Sequence, residues 1–130
     1  MRNFQDAVEA GDHQAIEALL ADDVRFTSPV AFKPYDGKAI TAAILRAVMR
    51  VFEDFHYVRE IRSPDGRDHA LVFEASIAGT LINGCDFLHV NDDGLTDDFA
   101  VMVRPLSGAN ALAEAMGAQF DRIVAEATAG

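Results

Sequence analysis

Hydrophobic and polar positions change their period four times along this chain. Up to residue 21 the apolar side chains recur at three-and-four spacing, as Phe4, Ala7 and Val8 and then Ile16, Leu19 and Leu20. That spacing predicts two short helices, over 3–10 and 12–21, parted by Gly11, with Asp12 as N-cap of the second. Val24-Arg25-Phe26-Thr27-Ser28 alternates and predicts a strand, which Pro29 stops. Residues 29–36 read as a loop holding Phe32, Pro34 and Tyr35. Asp36-Gly37 then opens a helix over about 37–52. Its stripe of Ile40, Ile44, Ala47, Val48 and Val51, flanked by Leu45, Met49 and Phe52, is too wide for a surface helix and suits one packed under a curved sheet.

From Phe55 the pattern turns to strands, over 55–62 and 68–78, joined at Pro64-Asp65-Gly66. Leu81–Pro105 follows as two long strands around Asn91-Asp92-Asp93-Gly94, a turn whose glycine supplies positive φ. Ser107 is expected to cap a last helix over about 108–127, with Leu112, Met116, Phe120, Ile123 and Val124 as its stripe. Helices ahead of a run of strands define an α+β fold, with helices on one face of an antiparallel sheet. A strongly bent sheet wrapped on a long helix leaves a cone with one apolar cavity.

Length sets the frame: 130 residues make one domain, 1–130, with one core. A net charge of -10, with eleven scattered basic residues, argues against a nucleic-acid partner. The lone Cys85 excludes an internal disulfide and fits a reducing compartment. No apolar run approaches the roughly 18–20 residues of a membrane span, and the N-terminal Met1-Arg2-Asn3-Phe4 lacks the apolar core of a signal peptide. The expectation is a cytoplasmic protein without a membrane partner.

Alternation puts Asp86 on one face with Gly84, Leu88 and Val90, a carboxylate in an apolar row. Two readings stand. Burial can raise its pKa and make it a general acid or oxyanion donor, or a neighbouring strand or water can satisfy it as an ordinary structural Asp. Phe26, Phe32, Leu45, Met49, Leu88, Phe99 and Val101 converge on the same interior, as core or as the lining of a cavity. Ser28 and Tyr35 stand at its mouth, where each can hydrogen-bond a ligand or serve a turn or a half-buried rim. The four histidines (His13, His56, His69 and His89) lack the spacing of a metal site, and His89 falls on the face opposite Asp86. Asn91–Asp93 and Asp97–Asp98 read as solvated turns rather than a cation loop. Neither a metal nor a cofactor is expected.

Three motifs carry a likeness. Leu20-Ala21-Asp22-Asp23-Val24-Arg25-Phe26, then Phe26-Thr27-Ser28-Pro29-Val30 with Lys33-Pro34-Tyr35-Asp36-Gly37, and finally Val101-Met102-Val103-Arg104-Pro105-Leu106-Ser107 resemble the SnoaL-like branch of the nuclear-transport-factor-2-like superfamily. The resemblance covers nearly the whole chain and implies the cone fold. The superfamily hosts isomerases, cyclases, dehydratases, epoxide hydrolases and non-catalytic binders, so it implies no single reaction. Its steroid-isomerase-like members keep a general base just before the Pro of the rim loop, where this chain has Ser28. Their tyrosine from the first helix falls near Phe4, and a supporting tyrosine on the long helix falls near Leu45. Only their protonated pocket Asp has a match, Asp86; such an enzyme is the general precedent for an apolar site that holds a carboxylic acid neutral. The resemblance therefore implies a protein other than a steroid isomerase of that mechanism.

The expected function is a small-molecule binder with an apolar pocket. As an enzyme it is a cofactor-independent isomerase, cyclase or dehydratase with Asp86 as acid or oxyanion donor. The alternatives are a non-catalytic carrier of an apolar metabolite and an interaction domain whose pocket its own Phe and Met side chains fill. The outer sheet face carries Cys85, Phe87, His89, Ala100 and Met102, too apolar to stay wet. In the resembling family that face pairs subunits, which implies a two-fold homodimer through Phe87, Ala100 and Met102.

Overall fold

The computed structural model describes residues 3–129; Met1, Arg2 and Gly130 lie outside them. Helices α1 (Phe4–Glu9) and α2 (His13–Ala18) come first. Gly11, at φ +66°, turns the chain between them, and the Asp12 carboxylate caps α2 by accepting from the Ala15 N–H at 3.1 Å. The second helix ends three residues before the expected Ala21, because the strand β1 (Leu20–Thr27) begins at Leu20. Leu20 is fully buried and sits opposite Thr96, whose N–H bonds the Leu19 carbonyl at 2.8 Å. Helical spacing at Ile16, Leu19 and Leu20 thus masks a strand residue whose partner lies far along the chain.

The expected loop 29–36 holds a two-residue strand, β2 (Tyr35–Asp36), paired antiparallel with Arg25 and Phe26 of β1. Helix α3 (Lys38–Val51) starts at Gly37, whose φ of +116° suits glycine alone. It buries Thr41 to Leu45 and Ala47, close to the expected stripe. The strands β3 (Glu53–Arg62), β4 (Asp68–Ile77), β5 (Thr80–Val90) and β6 (Thr96–Arg104) then run as an antiparallel meander. At Ala78-Gly79 both residues have positive φ, the requirement of the tightest hairpin turn. Helix α4 (Leu106–Ala129) closes the chain. It starts two residues ahead of expectation, with the Pro105 carbonyl accepting from the Ala109 N–H at 3.0 Å, so Ser107 lies inside the helix rather than capping it.

The six strands form one curved sheet in the order β2-β1-β6-β5-β4-β3. All neighbours are antiparallel except β1 and β6, a parallel pairing that periodicity alone does not reveal. Helices α1 to α4 fill its concave side, where Phe4, Phe26 and Phe99 pack edge to face with centroids 5.2 and 5.4 Å apart. Arg50 bridges to Glu126 at 3.0 Å and ties α3 to α4. Among the described residues no helix is long and apolar enough to cross a membrane.

Two glycines set how closely these layers approach. A Cβ at Gly84 would run into the ring of Phe73, with two further ring carbons at 2.7 and 2.9 Å, and one at Gly108 would meet the Ile82 side chain. Since Phe73 is among the most buried side chains, it has little room to yield. Gly84→Ala and Gly108→Ala are each expected to lose about 1–3 kcal/mol in urea denaturation. Gly117→Ala, where a Cβ meets nothing within 4 Å in mid-helix, is expected to gain about 0.5–1 kcal/mol.

Candidate functional site

Asp86 sits mid-strand on β5 with its side chain on the concave face, alongside the buried Ile82, Gly84 and Leu88. Its register partners are Leu71 on β4 and Val101 on β6, so neither neighbouring strand offers a countercharge. Only 7% of the residue is exposed. Its partner comes from two strands away: the Tyr57 hydroxyl on β3 donates to Asp86 Oδ2 at 2.9 Å. No described buried polar side-chain atom lacks a partner, and no bond engages Oδ1, which therefore opens onto the cavity.

Burial pushes the Asp86 carboxyl up from 3.8 to about 7, while the Tyr57 hydrogen bond opposes the rise. Tyr57 is itself pushed far up, first by burial, then by the nearby Asp86 charge and by donating to it. The pair is thus a phenol that keeps its proton and a carboxyl that exchanges one near neutrality. Aromatic packing fixes the phenol: the Phe55 ring meets Tyr57 edge-on at 5.0 Å and leans on Phe73 at 4.9 Å. Gly84 leaves the space over β5 that the Phe73 ring occupies.

The pair faces a cavity of about 60 Å³, room for a few waters or a slim molecular head. Of the residues singled out in the sequence, Phe26, Ser28, Leu45, Met49, Asp86, Phe99 and Val101 line it. Phe32, Tyr35 and Leu88 do not. Phe32 stands wholly in solvent at the tip of its loop, where nothing folds back to cover it. Tyr35 is drawn away by its strand pairing with Phe26 and lines a separate cleft against α4. Leu88 is buried one inward position past Asp86, opposite His69 and Phe99, and lines two other clefts instead. Ser28 keeps its place at the rim, and its Oγ accepts from the Val30 N–H at 3.1 Å, which leaves its own proton free to donate.

Tyr57 went unnoticed in the sequence. Alternation places it on the inner face with Phe55, but a register shift after Tyr57 and the two-strand distance to Asp86 hide the contact from any pattern. The remaining ionisable groups are held at the surface. His89 bonds Asp97 at 2.7 Å on the outer face, and His56 bonds Glu74 at 3.2 Å. Asp92 pairs with Arg67 at 2.6 Å. Burial pushes the Cys85 thiol up, with the Asp86 charge adding to it. Among the described residues no group of three or more His, Cys, Asp and Glu is placed to hold a metal ion.

A curved, open six-stranded sheet with helices packed on its concave side is the cone-shaped α+β architecture. The chain belongs to the SnoaL-like domain family, whose model matches residues 1–98. Among solved structures it is 40% identical to a protein from Pseudomonas aeruginosa described as a steroid delta-isomerase, with 94% of this chain and 89% of that one covered at a TM-score of 0.88. It is 36% identical to an uncharacterized bacterial protein with a cystatin-like fold from Silicibacter pomeroyi, covering 95% and 88% at a TM-score of 0.87. A putative polyketide cyclase from Pseudomonas putida shares the fold at 20% identity, over 81% and 88% of the two chains, with a TM-score of 0.65. A comparison with curated protein sequences gives no match.

Because Asp86 holds its proton more tightly folded than unfolded, its contribution to stability is greatest below about pH 4 and falls as pH rises toward 7. The loss levels off above that, at an upper bound on the order of 4 kcal/mol for a rise from 3.8 to about 7 at about 1.4 kcal/mol per pH unit. Asp86→Asn is therefore expected to melt higher than wild type at pH 8 and to lose that advantage near pH 4. Parallel melting curves for the two proteins across that range would show no divergence if the carboxyl titrated normally.

Proposed function

We propose that the chain is a cofactor-independent acid–base enzyme acting on a small, uncharged apolar molecule, with Asp86 as the group that moves the proton. The observation that carries this reading is a buried carboxyl, its proton held more tightly by burial, that opens onto an apolar cavity with only a tyrosine for a partner. A general acid or base works best when its pKa lies near the working pH. Protonated, Asp86 donates to a carbonyl or epoxide oxygen, where a dry site makes one hydrogen bond count for more than it does in water. Ionised, it can take a proton from carbon and return it to another atom, which is an isomerisation. Tyr57 holds the carboxyl in one orientation, and Ser28 supplies a second donor at the rim.

The described isomerase from Pseudomonas aeruginosa supports the class of chemistry. Ser28 stands where a rim carboxylate base would be needed, so a steroid isomerase acting through such a base is not the reading we adopt. The same serine favours the second reading, a carrier that binds without turnover. The lone Cys85 supports a reducing, cytoplasmic setting.

Exchange separates the two readings without a known substrate. In D2O, the protein is expected to speed deuterium uptake at the α-carbon of a small cyclic enone, followed by proton NMR. Asp86→Asn is expected to cut that rate by about 10²–10⁴-fold. Binding without exchange would leave the carrier, and exchange untouched by Asp86→Asn would end the proposal. Tyr57→Phe is expected to raise the Asp86 pKa further, since it removes the hydrogen bond that lowers it; the carboxyl ¹³C titration reads this directly.

The convex face of the sheet leaves Phe87, Ile61 and Met102 at 41%, 54% and 63% exposure, next to Cys85, Val72 and Ala100 in register. This patch supports a second copy of the chain as its cover, in a two-fold dimer. Native mass spectrometry is expected to show the dimer, and Met102→Lys to shift it to monomer. A monomeric wild type at micromolar concentration would remove the proposal.

A further inference from the structure

The Asp86 cavity is small, and it does not end where its inner wall ends. On its outer side a second hollow of about 210 Å³ lies between α4 and the 28–35 loop. The two share Ser28, Val30, Ile44 and Met116, so one partition separates them. We propose that the outer cleft is a second subsite of the Asp86 cavity, which takes the apolar tail of an uncharged ligand whose oxygen-bearing head lies at Asp86. The proposal rests on the Asp86 reading above and extends it to the shape and class of the ligand.

Three observations argue for this occupant. The inner chamber of about 60 Å³ holds a head and little else, so any larger molecule must continue outward. The partition it must pass includes Met116, half-buried, whose unbranched thioether chain can swing without disturbing backbone. Beyond it, α4 presents Ala113, Gly117 and Phe120 at positions i, i+4 and i+7, a shallow apolar trough ending in a half-exposed aromatic ring. A Cβ on Gly117, an exposed position, would meet nothing within 4 Å, so the floor of the trough is open there.

Charge narrows the ligand further. The residues lining the outer cleft include no Asp, Glu, Lys, Arg or His, and Asp86 and Tyr57 are the sole titratable groups lining the inner chamber. An anion would meet the Asp86 charge without a counterion, and a cationic tail would have no partner in the trough. An uncharged amphiphile fits both: one carbonyl, hydroxyl or epoxide oxygen and an extended hydrocarbon.

The test titrates protein labelled with ¹³C at the methionine methyls with alkan-2-ones from butan-2-one to decan-2-one. Met49 lines the inner chamber alone, Met116 belongs to both, and Met102 on the far sheet face is the control. Butan-2-one is expected to move Met49. Each added methylene is then expected to tighten binding about fourfold until the trough is full, with Met116 moving progressively and Met102 still. Gly117→Leu and Ala113→Leu, both at exposed positions that tolerate a larger side chain, fill the trough; in each, the affinity ratio of decan-2-one to butan-2-one is expected to fall at least tenfold. A ratio untouched in both variants, or long ketones that shift Met102 in place of Met116, would overturn the subsite while leaving the inner site standing. Failure of every ketone to move Met49 would take down the Asp86 reading and the subsite together. A Met116 signal that moves with protein concentration in the absence of ketone would give the cleft to a second copy of the chain and likewise overturn the proposal.

Discussion

One unbalanced charge governs this molecule. Asp86 is placed among Leu71, Val101 and a ring of aromatic side chains, where ionising it means removing a charge from water with a single phenol in return. The fold answers by raising the proton affinity of the carboxyl instead of supplying a cation. Everything around the site follows from keeping that environment dry. Phe55 and Phe73 hold Tyr57 against the carboxylate, Gly84 makes way for Phe73, and Met49 and Met116 close the helical side. Stability is thereby given up at the group to which the proposed chemistry is assigned, a common trade at functional sites.

Much of this was legible in the chain itself. The period-two pattern through Leu81–Pro105 and the Asn91–Gly94 turn gave the hairpin, and alternation alone put Asp86 inward and His89 outward. Helix α3 was readable because its apolar stripe is broad and begins after a glycine. The motifs around Phe26 and Arg104 carried the likeness to the family whose model matches residues 1–98. What failed had a shared cause, since local pattern carries no information about distant partners. Leu20 looked helical until Thr96 claimed it, and Tyr35 looked like a rim residue until Phe26 drew it into a strand.

Phe32 failed for a different reason. This loop aromatic was expected in the interior, as core or as the lining of the cavity, yet its loop projects and the ring stands in water. Tyr57 shows the converse: a residue of no local distinction becomes half of the site because β3 and β5 lie two strands apart in one bent sheet. Sequence reasoning finds the residue that breaks a pattern, such as Asp86. It does not find the partner that obeys one.

The parallel pairing of β1 with β6 has a bearing on how the molecule comes into being. β1 is made early and its sheet neighbour late, with the whole meander in between. Closing so long a loop costs chain entropy before any contact repays it, so this seam belongs to the slow, concerted part of folding. Until it closes, Phe26 and Phe99 cannot meet, the hollow has no wall, and Asp86 is a hydrated carboxyl like any other. The altered acidity of that group is therefore a property of the folded chain as a whole, since the wall that keeps it dry joins segments far apart in sequence.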